Sequence, residues 1–164
     1  MLDDPAGEER LQRALELGYA YLNRRDRTVS EVRLQLERKG ISEPVIEAAT
    51  ATLVEQGALD DDRFARLFVE DKRQLEQWGA ERILRGLRAR GIDRDRAEAA
   101  LVLHRGDANE EETELGRALA LLRRRFPSPP EDRRERERAL GVLLRKGYES
   151  DTALDALAAH ARGD

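Results

Sequence analysis

The chain has 164 residues, of which 39% are charged, 40% hydrophobic and only 4% aromatic, and it carries a net charge of −4. This much apolar content excludes a wholly disordered chain, and the Leu, Ala, Arg and Glu background favours helices with broad solvated faces over a sheet protein. With no cysteine, disulfides and thiolate zinc sites are excluded.

The opening stretch "MLDDPAGEER" lacks the basic start and apolar core of a signal peptide. No apolar run approaches the roughly 20 residues that span a bilayer. A soluble cytoplasmic protein with no membrane contact is the expectation. Charge is distributed unevenly: residues 61–106 hold 11 basic and 9 acidic side chains, whereas the flanks are acidic on balance. A generic nucleic-acid binder would be basic throughout, so any such contact must be local.

Along the chain, residues 1–7 read as a frayed end. "RDRTVSEV" then supplies a helix start at Thr28 or Ser30. Val32 and Leu36 share one helical face, and Gly40 follows a basic last turn, which is the expected helix stop. Ser42 is a ready N-cap for the next helix and Pro44 fits its first turn. The phrases around Gly91 and Gly147 repeat this pattern: "LQLERKGIS", "LRGLRARGID" and "VLLRKGYES". Aligned on the three glycines, Leu36, Leu87 and Leu143 lie four positions before. Val32, Ile83 and Ala139 lie eight before, and Ile41, Ile92 and Tyr148 one after. Ile46, Ala97 and Ala153 align further on, as do Ala49, Ala100 and Ala156. The chain is therefore an internal repeat in three copies, each reading helix, helix, glycine turn, helix. The copies span 8–58, 59–104 and 109–162, and are too small to hold a full core alone, so they should pack in series.

Between the first two copies stands "LDDDRFARLFVEDKR". Phe64, Leu67 and Phe68 recur at helical spacing and Val69 widens the stripe, so Asp60, Asp61 and Asp62 fall at a helix N-terminus. There a carboxylate accepts bonds from free backbone N–H groups and meets the positive dipole end. A metal site would need these side chains to converge, and consecutive aspartates splay apart with no further ligand spaced to help. Trp78 precedes Gly79 between two helices, where packing at a bend competes with stacking on a base or anchoring a partner.

Arg82, Arg85 and Arg88 step by three opposite Ile83, Leu84 and Leu87, and Arg90, Arg94 and Arg96 cluster at the following turn. The stripe reads either as a patch for phosphate or an acidic protein surface, or as a solvated helix face. "HRGDANEEET" from His104 reads as a polar linker, its end "NEEET" as acid-rich residues opening a helix, and "FPSPPEDRRERER" from Phe126 as a longer loop. Arg123, Arg124 and Arg125 near that loop face acidic neighbours that offset them. Asp93 should cap the helix after Gly91. The core is expected to hold Leu22, Val32, Leu36, Ile46, Phe64, Phe68, Ile83, Leu87, Leu101, Leu140, Leu143 and Leu154. His104 and His160 have no ligand set around them, and no phosphate loop, nucleophile elbow or catalytic pair stands out. The chain reads as a binding protein rather than an enzyme, with no cofactor.

"LDDDRFA", then Trp78-Gly79, then "ERILRGLRARGID" resembles the RecX family of recombination regulators. "AYLNRRDRTVSEVRLQLERKGISEPVIEAA" is similar to that family's first repeat, and "LLRKGYESDTAL" to its last. Gly79-Ala80 stands where the family often carries Gly-Pro, and many members are more basic. The resemblance implies an all-α fold of three tandem three-helix repeats forming an elongated, curved helical array. It also implies a monomer that binds the RecA filament of protein plus DNA, restrains strand exchange and ATPase activity, and makes at most weak direct DNA contact. Residues for that contact, chosen from the basic middle copy, are Arg63, Arg66, Lys72, Arg73, Arg82, Arg85, Arg88, Arg90 and Arg94. A helix-based DNA-binding regulator, a helical adaptor for another protein, and a metal-dependent nuclease centred on Asp60–Asp62 are the rivals. The last is tested directly: excess chelator should leave the melting temperature unchanged, whereas marked stabilisation by magnesium or calcium would favour the nuclease.

Overall fold

A glycine after a basic helical turn forces each copy of the repeat to turn back on itself, and the architecture follows from that. The computed structural model describes residues 5–104 and 113–163. The first repeat holds α1 (Pro5–Leu22), α2 (Val29–Arg38) and α3 (Glu43–Glu55). The second holds α4 (Asp61–Gln74), α5 (Ala80–Arg88) and α6 (Arg94–Leu103), and the third α7 (Glu114–Arg125), α8 (Arg133–Lys146) and α9 (Ser150–Arg162). No strand occurs among the described residues, and no helix there is long and apolar enough to cross a membrane. The fold is all-α, three three-helix repeats in tandem.

In each repeat the first and third helices make the most extensive packing and the middle helix closes the third side. Each repeat has its own cluster of buried side chains. The positions aligned on the glycines supply the centre of each: Val32, Leu36, Ile46 and Ala49; Ile83, Leu87, Ala97 and Ala100; Ala139, Leu143, Ala153 and Ala156 are all buried. Ile92 and Tyr148 are buried behind the second and third glycines, and Ile41 only partly behind the first. Three small cores give each repeat modest independent stability, so the junctions between repeats matter.

The expected core departs from the structure at its edges. Leu154 is 52% exposed and lines an open groove with Leu140 and Leu157. Its aligned positions in the other repeats are Glu47 and Glu98, so this site lies on the outer helix face in every copy. Leu22, Phe64 and Leu140 are only partly buried.

The helix starts mostly match the caps read from sequence. Thr28 forms a complete capping box with Glu31, Asp60 accepts from the Arg63 amide and Asp93 from the Arg96 amide. Ser42 occupies its N-cap position without a side-chain bond. The expected long loop from Phe126 is a correction: it ends at Asp132, which accepts from the Glu135 amide at 2.7 Å and starts α8. The "RRERER" run is helical because its charges fall at helical spacing, as in the 2.8 Å Arg133–Glu137 pair. The linker and acid-rich helix start after His104 lie largely outside the described residues. Thr113, at their end, caps α7 by accepting from the Gly116 amide.

The aligned glycines do two jobs, and their surroundings separate them. Gly40, Gly91 and Gly147 all have positive φ, at 78°, 80° and 91°, a region that costs other residues about 1 kcal/mol or more. A Cβ on Gly91 would also collide with Ser30 of the preceding repeat, and one on Gly147 with Arg82, whereas one on Gly40 meets nothing within 4 Å. Gly40→Ala should therefore cost only the backbone strain, about 1 kcal/mol. Gly91→Ala and Gly147→Ala should cost roughly 1–3 kcal/mol more by overpacking the junctions. Urea denaturation of the three variants measures the difference.

Candidate interaction surface

The consecutive aspartates point to three different partners. Asp60 Oδ1 accepts from the Arg63 N–H at 2.9 Å and caps its own helix, α4. That bond is the main cause holding its carboxyl below the usual range. Asp61 Oδ1 accepts from the Val29 N–H at 2.9 Å, at the start of α2 in the preceding repeat. Burial in that junction pushes its carboxyl upward. Asp62 pairs with Arg96 at 3.0 Å. The three carboxylates serve a cap, a junction and a surface pair, and no group of three or more metal-ligating side chains converges among the described residues.

The two junctions follow one rule. Thr28 and Gly79, the N-caps of α2 and α5, each lie twelve residues before their repeat's glycine. Each meets the carbonyl that precedes the glycine of the following repeat. Thr28 Oγ1 donates to the Arg90 carbonyl at 2.6 Å, and the Gly79 N–H donates to the Lys146 carbonyl at 2.8 Å. The Glu81 N–H adds a bond to the Gly147 carbonyl at 3.2 Å. Free donors at one helix start thus satisfy free acceptors at another helix end.

The second junction is the more elaborate. Glu114, from the third repeat, accepts from Arg73 at 3.0 Å and from the Ala80 N–H at 3.2 Å. A proline at position 80 could not make the second bond, so Gly79-Ala80 is matched by Glu114. The Tyr148 hydroxyl donates to the Gln77 carbonyl at 3.2 Å, and burial pushes its pKa up to about 12. The Arg124 guanidinium reaches the Gln77 side chain.

This architecture sorts the basic residues expected to meet a partner. Arg73 is a correction. Its side chain is buried and paired with Glu114, so it joins two repeats and is not available to a partner. Arg63 donates to the Gly57 carbonyl, and Arg90 donates to the Gly86 carbonyl while lying over the Phe68 ring. Lys72 pairs with Glu76 and lies 4.7 Å from the Trp78 ring centroid, with the Arg82 guanidinium at 4.2 Å from the same ring. Trp78 itself packs edge-on against Phe68, as expected of a bend. Arg66, Arg85, Arg88 and Arg94 are exposed, and Arg94 pairs with Glu98 at 2.6 Å.

Arg82 parts company with Arg85 and Arg88. It faces the third repeat, where Arg125, Arg145 and Lys146 join it around one cleft. The sequence offered no direct sign of this meeting. Arg123–Arg125 read as a cluster offset by acidic neighbours and Arg145-Lys146 as the basic turn before Gly147; only packing brings Arg125, Arg145 and Lys146 beside α5.

Three joined three-helix modules with a cation-rich middle repeat define a modular helical-repeat protein. Family models cover most of the chain: RecX first three-helix domain at residues 14–53, second at 60–101 and third at 112–157. The chain belongs to the RecX family. It is 33% identical over 158 residues to the regulatory protein RecX of Stenotrophomonas maltophilia strain R551-3, covering 92% of this chain and 90% of that one. It is 34% identical over 143 residues to the regulatory protein RecX of Xanthomonas campestris pv. campestris strain B100, covering 87% and 82%. The relative from Halalkalibacterium halodurans is longer: at 30% identity the chain spans 56% of its length. The crystal structure of RecX from Lactobacillus salivarius matches with a TM-score of 0.80 at 22% identity, over 96% of this chain and 99% of that chain.

The buried ion pair at the second junction gives a test of the sorting. Glu114→Ala should cost about 3 kcal/mol, because it removes the carboxylate paired with the buried Arg73. Arg73→Ala combined with Glu114→Ala should cost less than the two single losses added together. A double-mutant cycle in urea measures both, and additivity would return Arg73 to the surface.

Proposed function

We propose that the protein regulates homologous recombination in the cytoplasm by binding RecA nucleoprotein filaments and restraining strand exchange and ATPase activity. Membership of the RecX family, whose relatives named above are regulatory proteins, carries this reading. The physical means is a set of linked modules, each making a weak contact. Once one module binds, its neighbours act at a high effective concentration, so several weak contacts add up. Repeats joined through paired helix ends hold those modules at set spacings, which suits a periodic partner.

Within the middle repeat, Arg85 and Arg88 are the best candidates for direct contact. They project from α5 into solvent, and neither side chain makes a hydrogen bond or ion pair among the described residues. Arginine forks suit the carboxylates of a protein surface and the phosphates of the bound strand alike. Arg66 on α4 is exposed in the same way. Lys72, Arg82 and Arg90 act at shorter reach, since part of each is already engaged.

Co-sedimentation with RecA filaments, against free RecA and naked DNA, tests the reading. Arg85→Glu with Arg88→Glu should weaken filament binding about tenfold, equivalent to about 1.4 kcal/mol, and weaken inhibition in parallel. Reversal of Arg133, Arg134 and Arg136 should matter less. A folded Arg85/Arg88 variant that binds as tightly as the parent would move the contact to another face.

A further inference from the structure

Where the second and third repeats join, four cations from three helices surround one cleft of about 340 Å³. Arg82 comes from the first turn of α5, Arg125 from the end of α7, and Arg145 and Lys146 from the end of α8. Val142 completes the lining, and among the described residues no carboxylate belongs to it.

Helix dipoles account for a basic residue at the end of α7 or α8, but not for Arg82, which sits at the positive end of α5. The cleft also gathers like charges, which repel. Backbone carbonyls compensate only in part. Arg82 Nη1 donates to the Arg145 carbonyl at 3.0 Å, and Lys146 Nζ donates to the Glu76 carbonyl at 2.6 Å. Those bonds hold two cations in place without neutralising them, and a guanidinium has further donors to offer. Arg125 and Arg145 are exposed. Among the described residues, the arrangement is a set of positioned donors with no carboxylate in the cleft lining.

The chemistry of the lining selects the anion. A protein partner would be anchored by apolar or aromatic groups at the centre of its contact, and among the described residues Val142 is the only apolar one lining the cleft. Phosphate needs only charge-assisted donors. Trp78 carries both Arg82 and Lys72 on its ring, so a base is not offered that ring to stack upon. We propose that this cleft is a phosphate subsite that takes the sugar-phosphate backbone of a nucleic-acid strand without reading its sequence. The inference deepens the filament reading, resting on it only for the source of the strand, and assigns this site to the nucleic acid rather than to the protein.

The test uses the full chain, a fluorescently labelled oligothymidylate, and anisotropy titrations between about 50 and 200 mM salt. The cleft variant is Arg125→Ala with Arg145→Ala, which spares the two cations bonded across the junction. The control, Arg133→Ala with Arg134→Ala, removes the same charge elsewhere. The parent should bind, and the cleft variant should bind about tenfold more weakly. Its slope of log affinity against log salt should be shallower by roughly 1.4, about 0.7 for each phosphate lost. The control should keep the parent's slope, and Arg125→Lys with Arg145→Lys should restore binding. Equal losses in the cleft and control variants would overturn the proposal, as would a parent that binds no strand at the lowest salt. A parent that pellets with RecA filaments yet ignores the oligonucleotide sinks the subsite alone. One that shows cleft-dependent strand binding but no filament binding supports the subsite and sinks the filament reading.

Discussion

The structure depends on helix ends meeting across repeats. An isolated three-helix unit leaves unbonded N–H groups at the start of its middle helix and unbonded carbonyls at its end. Here the start of α2 meets the end of α5, and the start of α5 meets the end of α8. Each contact satisfies groups that water would otherwise have to serve, and it sets opposite dipole ends against each other. The bonds are individually modest, on the order of 1 kcal/mol each, but they are directional. They fix orientation where three small apolar cores could not.

The same constraint explains residues that look unremarkable in isolation. Gly91 and Gly147 need a left-handed backbone and also lack the Cβ that would collide with the repeat before them. Gly79 must lack one as well, because its Cβ would strike the Gly147 carbonyl. Gln77 holds φ 56°, a region uncommon for a residue other than glycine. That turn ends α4 and delivers Trp78 and Gly79 to the junction, and Tyr148 and Arg124 from the third repeat hold Gln77 there. The third repeat has a longer middle helix: α8 has 14 residues, against 10 in α2 and 9 in α5. It starts from its own Asp132 cap.

Charge in this chain has three separate uses, and composition alone cannot divide them. Arg73 and Glu114 lock repeats together at a buried contact. Arg94–Glu98 and Arg133–Glu137 support exposed helices at i,i+4 spacing and contribute little beyond that. Arg85, Arg88, Arg125 and Arg145 are left facing outward. A net charge of −4 is therefore compatible with local basic surface. What matters for a partner is where unneutralised charge ends up, and that is settled by packing.

Periodicity and glycine spacing determined the helical class, the three copies and most buried positions, because each is a local property with a period of 3.6 residues or a single backbone requirement. Capping was legible for the same reason: Thr28, Asp60 and Asp93 bond to amides three residues on. Leu154 failed because amphipathicity alone did not show which side of α9 faces out. The loop after Phe126 is shorter than its proline and charge content implies, because the i,i+4 spacing of Arg133 and Glu137 suits a helix. Only the tertiary structure decided that Asp61 caps a helix 32 residues earlier in the chain, and that Arg73 is buried against Glu114. It alone brought Arg82 to Arg125, Arg145 and Lys146. Those meetings depend on how one rigid repeat sits on the next, and no spacing within either repeat encodes it.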